Sequence, residues 1–120
     1  MRIHSAKQKG RRLQQKVAEA FVAGGVGLEK DDVRSASMGA PGEDILFSPA
    51  ARKQYPFSVE CKNVEKLSIW AAIDQARANC PEGSTPMVCF SRNHEKTFVA
   101  LEFDKFMEIY TAYLRARESK

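Results

Sequence analysis

In Glu60-Cys61-Lys62 a carboxylate and an ammonium stand two residues apart, so on a β-strand they project to the same face. Charges on a face that folds inward need a partner or a metal. The spacing alone is weak, since Glu118-Ser119-Lys120 repeats it in the C-terminal tail. Context separates the two. Phe57 to Lys62 alternates as a strand, with Phe57, Val59 and Cys61 on one face and Ser58, Glu60 and Lys62 on the other. Sixteen residues before Glu60, Asp44 stands at the mouth of another apolar run, after the Gly- and Pro-containing loop Ser37–Gly42. Neighbouring strands would set Asp44 beside Glu60. Two converging carboxylates, in a chain with two His and three Cys and no CxxC spacing, make an oxygen-ligand site suited to Mg2+, with Mn2+ able to substitute. Such an ion acts on water and on a phosphate, and Lys62 would orient that water or neutralise charge in the transition state. The reaction implied is phosphodiester hydrolysis. The alternative for the same residues is that Asp44 caps its loop and that Glu60 and Lys62 form an exposed cross-strand pair.

The elements that must position these residues follow from period and punctuation. From about Ser5 to Ala23, Leu13, Val17, Ala20 and Phe21 recur at helical spacing and Gly24-Gly25 ends the pattern. Asp32–Ser35 reads as a short extended piece and Asp44–Phe47 as a buried strand. Ser48-Pro49-Ala50-Ala51 carries the cap-then-proline signature of a helical turn, with Arg52-Lys53 a basic excursion on a surface loop. A second helix runs from a Ser68 cap to about Asn79, Pro81–Pro86 is a loop, and Met87–Phe90 and Phe98–Leu101 are two further strands. Asp104 caps a final helix, about 104–118, whose Phe106, Met107, Tyr110, Tyr113 and Leu114 read as a core-facing stripe. The expected fold is α/β, a single domain with a mixed central sheet of about five strands flanked by helices.

A length of 120 residues suits one domain with a real core. Nineteen Lys and Arg against fifteen Asp and Glu leave a formal net charge of +4, which favours anionic partners. Arg2, Lys7, Lys9, Arg11, Arg12 and Lys16 precede any acid, giving a basic N-terminal arm over about residues 1–12. Basic residues at a helix start oppose the macrodipole, as charge kept for a partner would; a solvated charged face reads the same residues equally well. Glu19 interrupts any signal-peptide hydrophobic region and no apolar run spans a bilayer, so the chain reads as cytoplasmic, with no membrane partner. Cys61, Cys80 and Cys89 read as reduced thiols. No G-x-S-x-G elbow, Walker loop or dinucleotide fingerprint is present. His4 and His94 are isolated, with His94 in the polar hairpin turn Arg92–Lys96.

With Gly42-Glu43-Asp44-Ile45 followed by Glu60-Cys61-Lys62, the chain resembles the PD-(D/E)XK nuclease superfamily, and within it Holliday-junction resolvases of the archaeal and phage-encoded type. The finer resemblance rests on the Lys9-Gly10 start of helix one, on Arg34-Ser35-Ala36-Ser37 before the Asp, and on Gln75 in the following helix. It implies a restriction-endonuclease-like αβββαβ core. It also implies Asp44 and Glu60 as metal ligands with the Cys61 backbone carbonyl, Lys62 as the catalytic lysine and Gln75 near the active site. The helix-one position that carries an acid in the superfamily falls on Gln14 or Gln15, with Glu19 one turn further on. Lys9, Arg11, Arg12, Arg34, Ser35 and Ser37 would hold DNA phosphates.

Ile69–Ile73 is apolar around more than one helix face, so Trp70 is either core or an interface with a second subunit. The resemblance implies a homodimer, since a four-way junction needs two matched cuts and a two-fold dimer presents two equivalent sites. The expected function is a Mg2+-dependent endodeoxyribonuclease for branched DNA, acting in the cytoplasm, that of a host if the chain is phage-encoded. Two alternatives use the same residues: a nuclease acting on linear or nicked DNA in repair or restriction, and a non-catalytic basic nucleic-acid-binding module.

Overall fold

The computed structural model describes residues 3–119; Met1, Arg2 and Lys120 lie outside the described residues, and with them the first basic residue of the arm and the end of the Glu118-Ser119-Lys120 repeat. The chain runs α1 (Ile3–Gly24), a 3-10 turn (Lys30–Asp32), β1 (Val33–Ser35), β2 (Ile45–Phe47), α2 (Pro49–Gln54), β3 (Phe57–Asn63), α3 (Ile69–Ala78), β4 (Thr85–Ser91), β5 (Phe98–Leu101) and α4 (Phe103–Glu118). Leaving out the 3-10 turn and the short α2, the order through β4 is α-β-β-β-α-β. The domain is α/β, and its strands form two ladders. β1 and β2 pair antiparallel, while β3, β4 and β5 form a mixed sheet in that order, β3 parallel and β5 antiparallel to β4.

The two ladders meet at Asp44, whose N–H donates to Val59 O at 3.1 Å and whose carbonyl accepts from Ala36 N at 2.8 Å. A parallel pair needs a crossover, and α3 supplies it between β3 and β4. Apolar side chains pack on both faces of the mixed sheet. On one, Leu13, Val17 and Ala18 of α1 meet Ile45, Val59, Cys61, Met87 and Cys89. On the other, Ala72 and Ala76 of α3 meet Val88, with Ile73 and Phe90 alongside. Burying side chains such as Ile45, Val59 and Val88 stabilises the fold by about 1.5–3 kcal/mol each.

Expectations for two elements are corrected. Arg52 and Lys53 lie in the last turn of α2 rather than on a loop, because Ser48 Oγ accepts the Ala51 N–H and Pro49 starts the helix. Lys7, Lys9, Arg11 and Arg12 of the basic arm lie within α1. The final helix starts at Phe103 with Glu102 at its N-cap, leaving Asp104 in the first turn, and its aromatic stripe does not face the core. A single residue separates α4 from β5, the edge strand of the sheet. The helix therefore runs off that edge in a molecule of 52 × 30 × 29 Å, and none of its residues is buried.

Candidate metal centre

Asp44 is held from several directions. Gly42, just before it, adopts φ +95°, a conformation that side-chain-bearing residues rarely take, and its carbonyl accepts from Asn79 Nδ2 at 3.2 Å, beyond the end of α3. Glu43 is gripped by Arg52, whose NH2 lies 3.0 Å from Glu43 Oε1 and whose NH1 donates to Phe57 O at 2.6 Å. The same guanidinium lies 4.9 Å from the Phe47 ring centroid. α2 thus ties the strand entry that carries Asp44 to the start of β3. Nothing in the sequence singled out Arg52; its only signal was an arginine following a Ser-Pro cap and within reach of an acid next to Asp44. At Gly10 an added Cβ would meet Met38 Cε at 2.9 Å, so the glycine allows the loop before Asp44 to seat on α1.

Pairing of β3 with β4 sets Glu60 opposite Val88 and Cys61 opposite Cys89. Glu60 thereby shares the α3 side of the sheet, while Cys61 turns toward α1. This is the alternation expected from sequence, except that both faces from Ser58 to Cys61 are buried, so Glu60 is no exposed cross-strand partner: it is 3% exposed. The Cys61 N–H donates to Asp44 Oδ2 at 2.7 Å, and Lys62 Nζ lies 3.3 Å from Glu60 Oε2. The Asp44 and Glu60 carboxyl groups stand close enough for each to perturb the other's titration.

The electrostatics follow from that crowding. Burial pushes the Asp44 carboxyl above its usual range, against the Cys61 N–H, the Lys62 charge and the contact with Glu60. Burial also raises Glu60, the negative charge of Asp44 raises it further, and Lys62 opposes both. Two carboxylates are thus pressed together with one ammonium, an arrangement that a divalent cation would relieve. The Cys61 thiol is pushed up by its hydrogen bond to Cys89 and by burial, so this residue offers the site its carbonyl rather than a thiolate.

Among the described residues no group of three or more His, Cys, Asp or Glu side chains converges. Asp44, Glu60 and the Cys61 carbonyl are the groups that could hold a cation here, and two carboxylates with a carbonyl would suit Mg2+, which keeps several waters. Helix α1 holds a second buried polar group. Gln14 of α1 is 5% exposed and its Oε1 is buried without a hydrogen-bond donor, a costly state unless water supplies the donor. The other helix-one candidates, Gln15 and Glu19, are exposed, so Gln14 is the inward-facing residue of the three.

The remaining expected residues are spread around this centre. Asn63, next along β3 from Lys62, lines a cleft of about 280 Å³ together with Lys9, Arg12 and Lys16 of α1 and Arg92 and His94 of the β4–β5 turn. Its walls are fixed: Lys16 Nζ donates to Thr97 Oγ1 at 3.3 Å, and Asn93 N donates to Glu65 Oε2 at 2.7 Å. Lys9 and Arg12 are expected phosphate contacts from sequence, Lys16 belongs to the same basic run, and the turn is the polar hairpin Arg92–Lys96. Arg11 is exposed and does not line the cleft; Arg34 and Ser37 are exposed and Ser35 half-buried on and after β1; Gln75 is exposed on α3. Trp70 is not core. It is 69% exposed, beside an apolar cavity of about 440 Å³ lined by Ile73, Val88, Val99 and Phe103 among others. Among the described residues no helix is long and apolar enough to cross a membrane.

Comparison with family models, with curated proteins and with solved structures returns no match for this chain.

Proposed function

We propose that the protein is a Mg2+-dependent endodeoxyribonuclease for branched DNA, and that it acts as a homodimer on four-way junctions. The observation that carries the reading is that Asp44 is fixed on β3 by the Cys61 N–H at 2.7 Å, next to Glu60, which has Lys62 at 3.3 Å, at a place where burial opposes ionisation of both carboxyls. Asp44, Glu60 and the Cys61 carbonyl would hold the ion. When bound, Mg2+, or Mn2+ in its place, supplies Lewis acidity for a phosphodiester oxygen and for the attacking water.

The chain's own groups do the rest. Lys62 brings a positive charge to the phosphate as negative charge builds on its oxygens, and this electrostatic complement is the largest contribution of such a group. Arg52 acts through Glu43 and keeps the Asp44 entry in position. Lys9, Arg12 and Lys16, with Arg92 paired to Glu95 across the turn, line a mainly basic cleft that starts one residue beyond Lys62, suited to the backbone on one side of the scissile bond. Arg34, Ser35 and Ser37 serve the strand approaching Asp44, and Gln75 the α3 side.

The test compares an end-labelled four-way junction with a matched linear duplex, each with Mg2+ or EDTA. Paired symmetric cuts confined to the junction and lost in EDTA are expected. Equal cutting of both substrates would move the substrate to linear or nicked DNA, and tight binding without cutting under either metal would make the chain a nucleic-acid-binding module.

A further inference from the structure

Phe103, Phe106, Met107, Tyr110, Tyr113 and Leu114 of α4 are between 42 and 71% exposed, and the helix buries none of its residues in its own chain. These side chains form one continuous surface. The Phe106 and Tyr110 rings stack at 5.8 Å, Tyr110 and Tyr113 meet at 5.6 Å, and the Arg117 guanidinium covers Tyr113 at 5.7 Å. An apolar patch of this extent on a small soluble chain marks a contact surface. Residues 103, 106, 110, 113 and 117 follow the alternating three- and four-residue spacing of a helix–helix seam, with Met107 and Leu114 beside it.

The seam is also symmetric about Tyr110. Three places away on either side stand Met107 and Tyr113, four places away Phe106 and Leu114, and seven places away Phe103 and Arg117. A two-fold axis through Tyr110 therefore sets apolar against apolar twice and lays a guanidinium on a phenyl ring at each end. That is the self-complementarity an isologous contact requires. Charge selects the same orientation. Glu102, Asp104 and Glu108 precede Tyr110, with Lys105 engaged to Glu108, whereas Arg115 and Arg117 follow it against the one acid Glu118, so the first half is net acidic and the second net basic. Antiparallel helices set the acidic half on the basic half and oppose their dipoles; parallel ones set like on like. With full side-chain areas of about 150–250 Å² for the aromatics, the exposed fractions leave roughly 600–700 Å² per copy, at the lower end of specific interfaces.

We propose that α4 is a dimerisation element, pairing antiparallel with α4 of a second copy of this chain about an axis through Tyr110. The pairing does not rest on the metal-centre reading: the chain could dimerise and cleave nothing, or cleave as a monomer. It differs from a dimer centred on Trp70, which meets the α4 seam only at Phe103, across the cavity that both line.

Sedimentation velocity of the full chain from about 1 to 100 µM tests it. Wild type and Tyr110→Phe should be dimeric. Tyr110→Glu brings two carboxylates together on the axis and should raise the dissociation constant at least 100-fold, with the helical circular dichroism unchanged because Tyr110 is not a core residue and its ring contacts are with Phe106 and Tyr113 of its own helix. Under mild oxidation Tyr110→Cys should cross-link well above the wild-type background of three native cysteines, and Ala112→Cys, on the outer face, should not. A wild-type monomer at 100 µM, a dimer indifferent to Tyr110→Glu, or equal cross-linking at both positions would overturn the proposal.

Discussion

Glu60→Gln separates a metal-binding carboxylate from a structural one, because the two accounts predict opposite signs. Glu60 feels Lys62 at 3.3 Å, an attraction of about 5 kcal/mol at an effective dielectric near 20. The negative charge of Asp44 opposes that attraction. What remains is the cost of burying the charge, which Gln does not carry. In the metal-free protein at pH 7.5 the variant should be more stable by about 1–2 kcal/mol, or roughly 4–8 °C in melting temperature for a domain of this size.

The pH dependence has a definite sign. The Glu60 carboxyl titrates higher in the folded chain than in the unfolded one, so its favourable contribution is fully present below the ordinary carboxylate pKa and is lost as pH rises through the raised folded value. The advantage of Glu60→Gln should therefore vanish below about pH 4 and be complete at pH 7.5. Thermal unfolding in EDTA and in Mn2+ measures both effects. Saturating metal at about 100 times its dissociation constant adds about 2.7 kcal/mol to wild type and should add much less to the variant. A Glu60→Gln protein that melts below wild type in EDTA, or that gains as much from Mn2+, would refute the reasoning and leave Glu60 a structural partner of Lys62.

Lys62→Met should lower junction cleavage by about 10²–10³-fold while changing junction affinity little, as expected for a charge used in the transition state, measured by single-turnover cleavage beside a binding isotherm. Arg52→Ala removes the clamp on Glu43 and the donor to Phe57 O; it should destabilise the fold by about 1–2 kcal/mol in a denaturant titration and reduce the cleavage rate without altering the salt dependence of binding. Binding of DNA should weaken steeply with salt, and Arg12→Ala or Lys16→Ala should each reduce the slope of log K against log salt by about 1, measured by fluorescence anisotropy.

The α/β order was legible because each element carries its own period and punctuation: Gly24-Gly25 ends α1, Ser48-Pro49 starts α2, and β3 alternates. Asp44 and Glu60 were legible as neighbours because a short loop and two strands leave little freedom in register. The single five-stranded sheet was less so, since whether Asp44 joins the ladders by a backbone hydrogen bond or by continuous pairing leaves no mark on the residues. Arg52 was missed because a clamp made by a guanidinium depends on a helix folding back toward Glu43, and sequence distance does not report that. The largest error concerns α4. A stripe of Phe, Met, Tyr and Leu at helical spacing says that one face is covered, but not by what, and the position of β5 at the sheet edge decides that it is not covered by the chain's own core. The same ambiguity at Trp70 was left open by the sequence, and its exposure answers only that it lies outside the core.

The account depends most on Asp44 and Glu60 sharing a divalent cation, and titration of Mn2+ into the metal-free protein, followed by electron paramagnetic resonance of the free ion, measures this without requiring a DNA substrate. Wild type should take up Mn2+ in competition with Mg2+, and Asp44→Asn should lose that uptake while keeping its fold. Uptake unchanged in Asp44→Asn, or none in wild type at millimolar Mn2+, would contradict the metal centre.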